Sequence, residues 1–338
     1  MKIIEKSIVK QKKSVKILIF FATIFLLFLI LALIINPKKY INSCYSGLLT
    51  WATCVLPSLL PFFIITKILT ELKSLDKFFA KTKCITNFLF KAPSVSGYIF
   101  CMSIISGYPV GAKLIEEFYS KNLISTKDAN KLTTFCSTSG PLFIIGTVGS
   151  IMFNNVKVGY VLFLAHILSA ILNGILYRKF YVGNKNEITQ KTDKTDYSSI
   201  LSSSMSSSIM SVMIVGGFIA IFYMIIDILN GFNILPQFAN MIEYVFNVFG
   251  IKNCGSAISN GIIEVTRGCL DLSKLNLNIK TVCVLTSGLI AFGGFSIHFQ
   301  ALSFLTKCKI NVKFYFLQKI TQTIFACVTS YILSLMFF

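Results

Sequence analysis

The chain has 338 residues, of which 54% are hydrophobic and 13% are charged, with a mean hydropathy of +0.74. These values exclude an ordinary soluble domain and favour an integral membrane protein with several apolar helices. The formal net charge of +19 does not indicate nucleic-acid binding, because the basic residues stand in the gaps between apolar stretches, where a membrane topology places them.

The N-terminal segment, residues 1–40, combines a lysine-rich start with an uncharged stretch at residues 17–35. A helix of about 20 residues crosses the hydrocarbon layer of a bilayer, so this stretch predicts a first transmembrane helix. Its apolar core is longer than that of a signal peptide. We therefore expect an uncleaved helix that leaves the cytoplasm and ends at Asn36-Pro37.

Residues 41–180 are predicted to form a first repeat. Its uncharged opening stretch, residues 41–66, contains Pro57 and Pro61, each of which removes a backbone donor and should kink or break the helix. A lysine-rich amphipathic segment follows at residues 74–91. It is typical of a helix that lies on the cytoplasmic membrane surface.

The remainder of this repeat alternates polar and apolar sequence. Residues 93–112 are uncharged but rich in serine and glycine, and we interpret them as a re-entrant hairpin. A basic connector follows, which supports a return of the chain to the cytoplasmic side. Residues 132–156 and 158–177 then predict two spanning helices, joined through Asn154-Asn155.

The second half, residues 200–338, repeats this order after a polar cytoplasmic linker at residues 181–199. It contains an uncharged stretch, an amphipathic helix, a polar hairpin around residues 261–268 and two further spans. A lysine cluster precedes the last span, and we interpret all of its members as cytoplasmic: Lys307, Lys309, Lys313 and Lys319.

Three crossings in each half would invert the second half relative to the first. With the N-terminus inside, the predicted cytoplasmic segments hold most of the 32 basic residues, as the positive-inside tendency requires. The predicted fold is an all-α polytopic membrane protein, with an N-terminal helix followed by two inverted repeats. Each repeat contains an interfacial helix, a re-entrant polar hairpin and three spanning helices.

Glycine, proline, serine and threonine cluster at predicted membrane depth in residues 106–113, 136–146, 261–268 and 286–298. Irregular backbone at this depth is tolerated only where protein or a water-filled cavity covers it. Half-helix N-termini that meet there would present unpaired N–H groups to an anion. The candidate substrate-binding residues are Ser106, Gly107, Tyr108, Pro109, Gly111, Lys113, Ser137, Thr138, Ser139, Gly140, Glu264, Thr266, Arg267, Thr286, Ser287 and Gly288.

The last three candidates belong to this set because residues 286–288 repeat the Thr-Ser-Gly sequence of residues 138–140. In inverted repeats the two triplets would face each other across the site. The alternative is that the hydroxyls bond to their own helix and that glycine permits close helix packing. Lys113 likewise either meets the substrate at the cytoplasmic mouth or is an ordinary interfacial lysine.

Glu264 and Arg267 are ionisable residues in an apolar stretch, where charge is costly and usually functional. In the functional interpretation Arg267 binds a carboxylate and Glu264 couples a proton or Na⁺. In the alternative they pair with each other, because they stand three residues apart. His298 and Gln300 are further candidates for proton or ion coupling, with a structural hydrogen bond as the alternative for His298. His166 has no polar neighbours in its apolar span and is interpreted as structural.

The sequence shows no nucleophile–base pair, no metal-ligand spacing and no phosphate-binding glycine loop. We therefore expect neither an enzyme nor a bound cofactor or metal, and H⁺ or Na⁺ would be the coupling ion if one is used. The ten cysteines include no CxxC pair and are interpreted as buried thiols that act as small apolar side chains.

Five motifs, in this order, resemble the sporulation integral membrane protein YlbJ family, and the resemblance extends from about Gly47 onward. They are GLLTWATCVLPSLLPFF, SGYPVGAK, CSTSGPLFIIGTVG, GIIEVTRG and AFGGFSIHFQ. That family is similar to the Gate or nucleoside-recognition domains of concentrative nucleoside transporters and of spore maturation membrane proteins. The resemblance implies an outer forespore membrane protein made in the mother cell. It also implies a role in cortex formation and in moving dipicolinate into the space between the forespore membranes.

The resulting hypothesis is a sporulation membrane transporter for a small anionic substrate, with dipicolinate implied by the resemblance. Two alternatives stay open: a membrane scaffold for spore-envelope assembly, and a nucleoside-type transporter by fold analogy alone. The expected partners are the anionic substrate and the lipid bilayer, without nucleic acid. A homo-oligomer or a sporulation membrane partner is compatible with the sequence.

Overall fold

The computed structural model describes residues 2–71, 85–181 and 197–338, and every regular element within these ranges is a helix. The first half contains α1 (Lys2–Ile35), α2 (Pro37–Thr50), α3 (Leu56–Glu71), α4 (Ser96–Ser106), α5 (Val110–Ser120), α6 (Thr126–Leu132), the π-helical α7 (Leu142–Met152) and α8 (Val156–Leu176). The second half contains α9 (Tyr197–Gly231), α10 (Ile234–Asn247), α11 (Gly255–Ile263), α12 (Val265–Ser273), α13 (Ile279–Phe292), α14 (Gly294–Leu305) and α15 (Val312–Phe337).

Several of these helices are long and apolar enough to cross a membrane. In the described ranges there are four such stretches, and a bent pair, Ile19–Ile35 with Pro37–Val55, brings the number to five if it forms one span. The four are Val156–Leu176, Ile200–Gly231, Ile279–Cys308 and Val312–Phe337. The predicted class, an all-α polytopic membrane protein, is confirmed.

Asn36 separates the N-terminal helix from the first repeat. Its side-chain oxygen accepts the backbone N–H of Lys39 at 3.3 Å, and the helices on either side meet at 110°. Pro37 suits the start of α2, because the first N–H groups of a helix have no partner within it. The first helix therefore ends where the sequence predicts.

The two prolines of the next stretch do not break the helix, so of the predicted kink or break the break does not occur. α2 continues through a π-helical turn, Trp51–Val55, directly into α3, and Pro61 lies inside α3. A π turn shifts the hydrogen-bond register ahead of a proline. The helix thereby accommodates Pro57 and Pro61 without ending.

The same order of elements recurs in the two halves. Helices α4 and α5 form a hairpin, α6 and α7 form an interrupted helix, and α8 is continuous. In the second half the hairpin is α11–α12, the interrupted helix is α13–α14, and α15 is continuous. The continuous helices α8 and α15 pack on each other, α13 packs on both, and α2 and α3 pack on α9. The hairpin tips and helix breaks consequently lie inside the helix assembly.

The interruption between α6 and α7 contradicts the predicted spanning helix at residues 132–156. α6 ends at Leu132, and α7 begins only at Leu142. The hydroxyls of Thr133 and Thr134 bond back to the carbonyls of Asn130 and Lys131, each at 2.7 Å. Such side-chain bonds compete with the helical ladder, so the chain leaves the helix at these residues.

The repeated Thr-Ser-Gly sequence predicts that the second half is interrupted at residues 286–288, but the break between α13 and α14 lies further along the chain. Residues 138–140 are outside helices, whereas residues 286–288 lie in the middle of α13. α13 ends at Gly293, which has a φ of +92°. The two triplets are therefore not equivalent positions, and that part of the repeat prediction is wrong.

Parts of the predicted architecture lie outside the described residues. The cytoplasmic interfacial helix at residues 74–91 is described only from residue 85, with a helix at residues 85–90. The linker at residues 181–199 is described only at its two ends. The second amphipathic helix is present as α10. The inversion of the repeats and the division of the chain into domains stay predictions.

Candidate functional site

Both hairpin tips, the break between α6 and α7, and helix α14 surround a cavity that is partly open to the outside, with an empty volume of about 480 Å³ including that open space. Aliphatic and aromatic side chains of α3, α7 and α9 cover its apolar part. Its polar lining consists of Ser106, Gly107, Tyr108, Ser139, Gly140, Glu264, Thr266 and Gln300. All of these residues were predicted from the sequence as candidates for substrate binding or ion coupling.

The tip of the first hairpin lies directly against the first helix break. Gly107 has a φ of +74°, and a Cβ added there would lie 2.5 Å from the backbone nitrogen of Gly140. A Cβ at Gly111 would lie 1.9 Å from the carbonyl oxygen of Cys136. The backbones can approach this closely only because both hairpin residues lack a side chain.

The second hairpin turns at Glu264, which is extended between α11 and α12 and 1% exposed. Its carboxylate accepts the backbone N–H of Arg267 at 2.7 Å and so caps α12. A Cβ at Gly294 would lie 3.0 Å from the carbonyl oxygen of Gly261 and 3.1 Å from the nitrogen of Val265. Each hairpin tip therefore rests on the helix break of its own half.

Three helices begin at the cavity wall: α5 after residues 107–109, α7 after residues 140–141, and α12 at Glu264. The first N–H groups of a helix have no intrahelical acceptor and carry a partial positive charge. α5 and α7 have no side-chain cap, whereas Glu264 caps α12. The cavity thus presents two uncapped helix N-termini and one carboxylate.

His166 on α8 supports the first helix break from behind. Its Nε2 accepts the backbone N–H of Ser139 at 2.9 Å, and the ring is 1% exposed. This bond satisfies a buried donor that has no helical partner. The role is structural, as predicted, but the expectation that His166 lacks polar neighbours is wrong.

Lys319 is the functional-site residue that the sequence analysis missed, because it was assigned to the cytoplasmic lysine cluster. On α15 it is 1% exposed, and its Nζ donates to the hydroxyl of Tyr108, the carbonyl of Ser137 at 2.8 Å and the side-chain oxygen of Gln322 at 3.1 Å. The helical spacing of Tyr315, Lys319 and Gln322 is a signal that could have found this inward polar face.

Arg267 does not line the cavity. Its guanidinium lies 3.4 Å from the carboxylate of Asp271 and 3.9 Å from that of Asp227, over the ring of Tyr223 at 5.1 Å. Its only described bond to Glu264 is through the backbone N–H. The structure therefore contradicts both the placement of Arg267 at the substrate and a side-chain pair with Glu264.

The triplet at residues 286–288 faces α15 instead of the cavity. The hydroxyl of Ser287 donates to the carbonyl of Ala326 at 3.3 Å, and a Cβ at Gly288 would lie 2.9 Å from the sulfur of Cys327. Thr286 is fully buried in the same helix. The close contact of Gly288 matches the packing alternative, whereas Ser287 bonds to α15 instead of its own helix. The assignment of Thr286, Ser287 and Gly288 to the site is wrong.

The remaining candidates surround the cavity without lining it. Lys113 on α5 donates to the hydroxyl of Ser207 on α9 at 3.4 Å. Thr138 donates to the hydroxyl of Ser103 at 3.2 Å, while Pro109 begins the first turn of α5. His298 lies behind the wall, with its Nδ1 3.1 Å from the hydroxyl of Tyr315.

In the described part of the chain, no group of three or more His, Cys, Asp or Glu residues could hold a metal ion. The nine cysteines found there are free thiols.

No family model matches the chain. It is similar to a curated protein, the sporulation integral membrane protein YlbJ of Bacillus subtilis (strain 168), with 26% identity over 325 residues that cover 90% of this chain and 80% of that protein. This similarity supports membership of the YlbJ family. The similarity and the apolar helices together support a sporulation integral membrane protein.

A solved structure of a CNTnw variant in the intermediate 1 state is also similar to this chain. The TM-score is 0.53 with 12% identity, and the match covers 95% of this chain and 86% of that one. At this identity the likeness concerns the fold alone.

Proposed function

We propose that this YlbJ-family protein is a transporter that moves a small anionic substrate, dipicolinate, across the outer forespore membrane in support of cortex formation and spore maturation. The observation that carries the proposal is the cavity between the two hairpin tips, into which uncapped helix N-termini open. Broken helices with polar tips at a buried cavity are typical of secondary transporters.

The lining suits a small planar dicarboxylate. The N-termini of α5 and α7 provide backbone donors and a positive dipole end. The hydroxyls of Ser106, Ser139 and Thr266 and the amide of Gln300 add side-chain donors. The apolar walls from α3, α7 and α9 would contact the faces of an aromatic ring.

Glu264 gives the site a second function. When ionised, its carboxylate would repel a bound anion, whereas a protonated Glu264 would donate a hydrogen bond to it. Binding of the substrate would therefore be coupled to binding of a proton at Glu264. With the N-terminus in the cytoplasm, the same site would face the two sides of the membrane in turn. We expect no catalysis by this cavity.

The test is uptake of labelled dipicolinate into liposomes that contain the purified protein, with and without a pH or Na⁺ gradient. Glu264→Gln keeps an oxygen that can accept the Arg267 N–H but removes the titratable group. We expect saturable uptake driven by a pH gradient, with this drive lost in Glu264→Gln. Ser139→Ala should reduce uptake, and Glu117→Gln, a carboxylate on α5 that is 40% exposed, should transport normally.

The alternatives predict other results. A membrane scaffold would insert normally but show no uptake under any gradient, and Glu264→Gln would then leave spore dipicolinate unchanged. A nucleoside-type transporter would take up labelled nucleosides, and dipicolinate would not compete. Either result would contradict the proposal.

A further inference from the structure

Lys319 lies one side chain behind the cavity wall. Tyr108 lines the cavity, and its hydroxyl donates to the carbonyl of Ser137 at 2.6 Å while it accepts a bond from the ammonium of Lys319. The ammonium also lies 5.1 Å from the centre of the Tyr108 ring. A single aromatic residue thus separates this lysine from the space in which the substrate would bind.

The hydrogen bonds indicate that Lys319 is an ammonium ion. Its Nζ has three acceptors: the Tyr108 hydroxyl, the Ser137 carbonyl and the Gln322 side-chain oxygen. The Tyr108 proton is used in the bond to Ser137, so the tyrosine oxygen receives a proton from the lysine. An ammonium has three N–H donors and matches these acceptors, whereas a neutral amine has only two.

This charge has no anionic partner in the described residues: the ion pairs found there involve other basic residues. Its acceptors are neutral. The two nearby histidine rings form hydrogen bonds with other groups, His166 with the backbone N–H of Ser139 and His298 with the hydroxyl of Tyr315. A buried charge without a counter-charge is costly, and its field is weakly screened in a low-dielectric interior. A negative charge in the adjacent cavity would compensate it.

We propose that Lys319 is the specificity-determining residue that makes the cavity select negatively charged substrates over neutral molecules of the same shape. This inference rests on the proposed transport function. Tyr108 lies between the ammonium and the cavity. The substrate would therefore contact the tyrosine ring while the field of the buried charge still reaches it. Glu264 lines the cavity from the opposite hairpin, and while it is ionised its negative charge opposes anion binding, which the positive charge of Lys319 offsets.

The test compares two ligands of the same shape and different charge on the purified full chain: dipicolinate and its neutral diamide, pyridine-2,6-dicarboxamide. The wild type should bind the dianion more tightly than the diamide by roughly tenfold or more. Lys319→Met should reduce this preference by roughly tenfold, with diamide affinity within about twofold of wild type. Lys319→Arg should retain the preference.

Two further variants separate charge from structure. Lys313→Met makes the same replacement at an exposed lysine of the same helix and should leave the preference unchanged. Lys319→Gln is a second neutral side chain that retains hydrogen-bond donors, and the preference should fall in it as well. Thermal unfolding in detergent checks that both Lys319 variants are folded, which we expect because Tyr108 keeps its bond to Ser137.

Each other outcome overturns the inference. If folded Lys319→Met and Lys319→Gln keep the wild-type preference, Lys319 does not select charge, while the proposed transport function stands. If the affinity of both Lys319 variants falls equally for dipicolinate and for the diamide, Lys319 acts only in packing. If the wild type binds neither ligand, the proposed function fails and the inference fails with it.

Discussion

His166 shows how a single side chain can hold an interrupted helix inside a membrane protein. Its Nε2 accepts the Ser139 N–H, which lies in the break between α6 and α7 and lines the cavity. His166→Phe fills similar space but removes the acceptor, and a buried unsatisfied donor costs about 1–3 kcal/mol. We expect a lower unfolding temperature in detergent and weaker binding of dipicolinate.

His166→Gln is the matched control, because its side-chain oxygen can accept the same N–H bond. It should recover part of the stability that His166→Phe loses. Equal unfolding temperatures for the wild type and His166→Phe would show that the bond to Ser139 contributes nothing to the break.

At the scale of an element, the first hairpin is positioned by backbone contact. Gly111→Ala would place a Cβ 1.9 Å from the Cys136 carbonyl oxygen, so α5 would have to move away from the break. Overpacking of this kind costs about 1–3 kcal/mol. We expect a reduced yield of folded protein and a lower unfolding temperature, measured by size-exclusion chromatography and a thermal ramp in detergent.

Gly146→Ala in α7 is the control for this substitution. A Cβ added at Gly146 meets nothing within 4 Å, so the substitution introduces no clash. Its folded yield should equal that of the wild type. Similar losses in both variants would mean that the close approach of Gly111 to Cys136 is not what positions the hairpin.

The sequence predicts the hairpin tips better than the breaks. Polar, glycine-rich sequence around Gly107 and Glu264 stands out from apolar flanks, and both positions line the cavity. The break after Leu132 was missed because residues 132–156 are uncharged and were predicted as one span. The cluster at residues 136–146 indicated irregular backbone, but not that the helix ends at Leu132, which local bonds from Thr133 and Thr134 determine. The pairing of Arg267 with Asp227 depends on how two helices pack on each other. The spacing of residues along one helix does not predict such a contact.

At the scale of the whole molecule, the inverted-repeat prediction depends on which segments cross the membrane. Neither α6 nor α7 reaches about 20 residues, the length that spans a bilayer, so this crossing requires both helices and the break between them. If they cross, Lys121 before α6 and Lys157 at the start of α8 lie on opposite sides. The corresponding crossing in the second half separates Lys307 from Lys252.

We therefore expect Lys157→Cys and Lys252→Cys to react with a membrane-impermeant thiol reagent in right-side-out spheroplasts, above the level of the unsubstituted chain. Lys121→Cys and Lys307→Cys should react only after the membrane is permeabilised, because positive loops favour the cytoplasm. Reaction of Lys121→Cys and Lys157→Cys on the same side would mean that α6 and α7 do not cross. The two halves would then have the same orientation in the membrane. This result would contradict the inverted repeats, and with them the proposal that the cavity opens to each side of the membrane in turn.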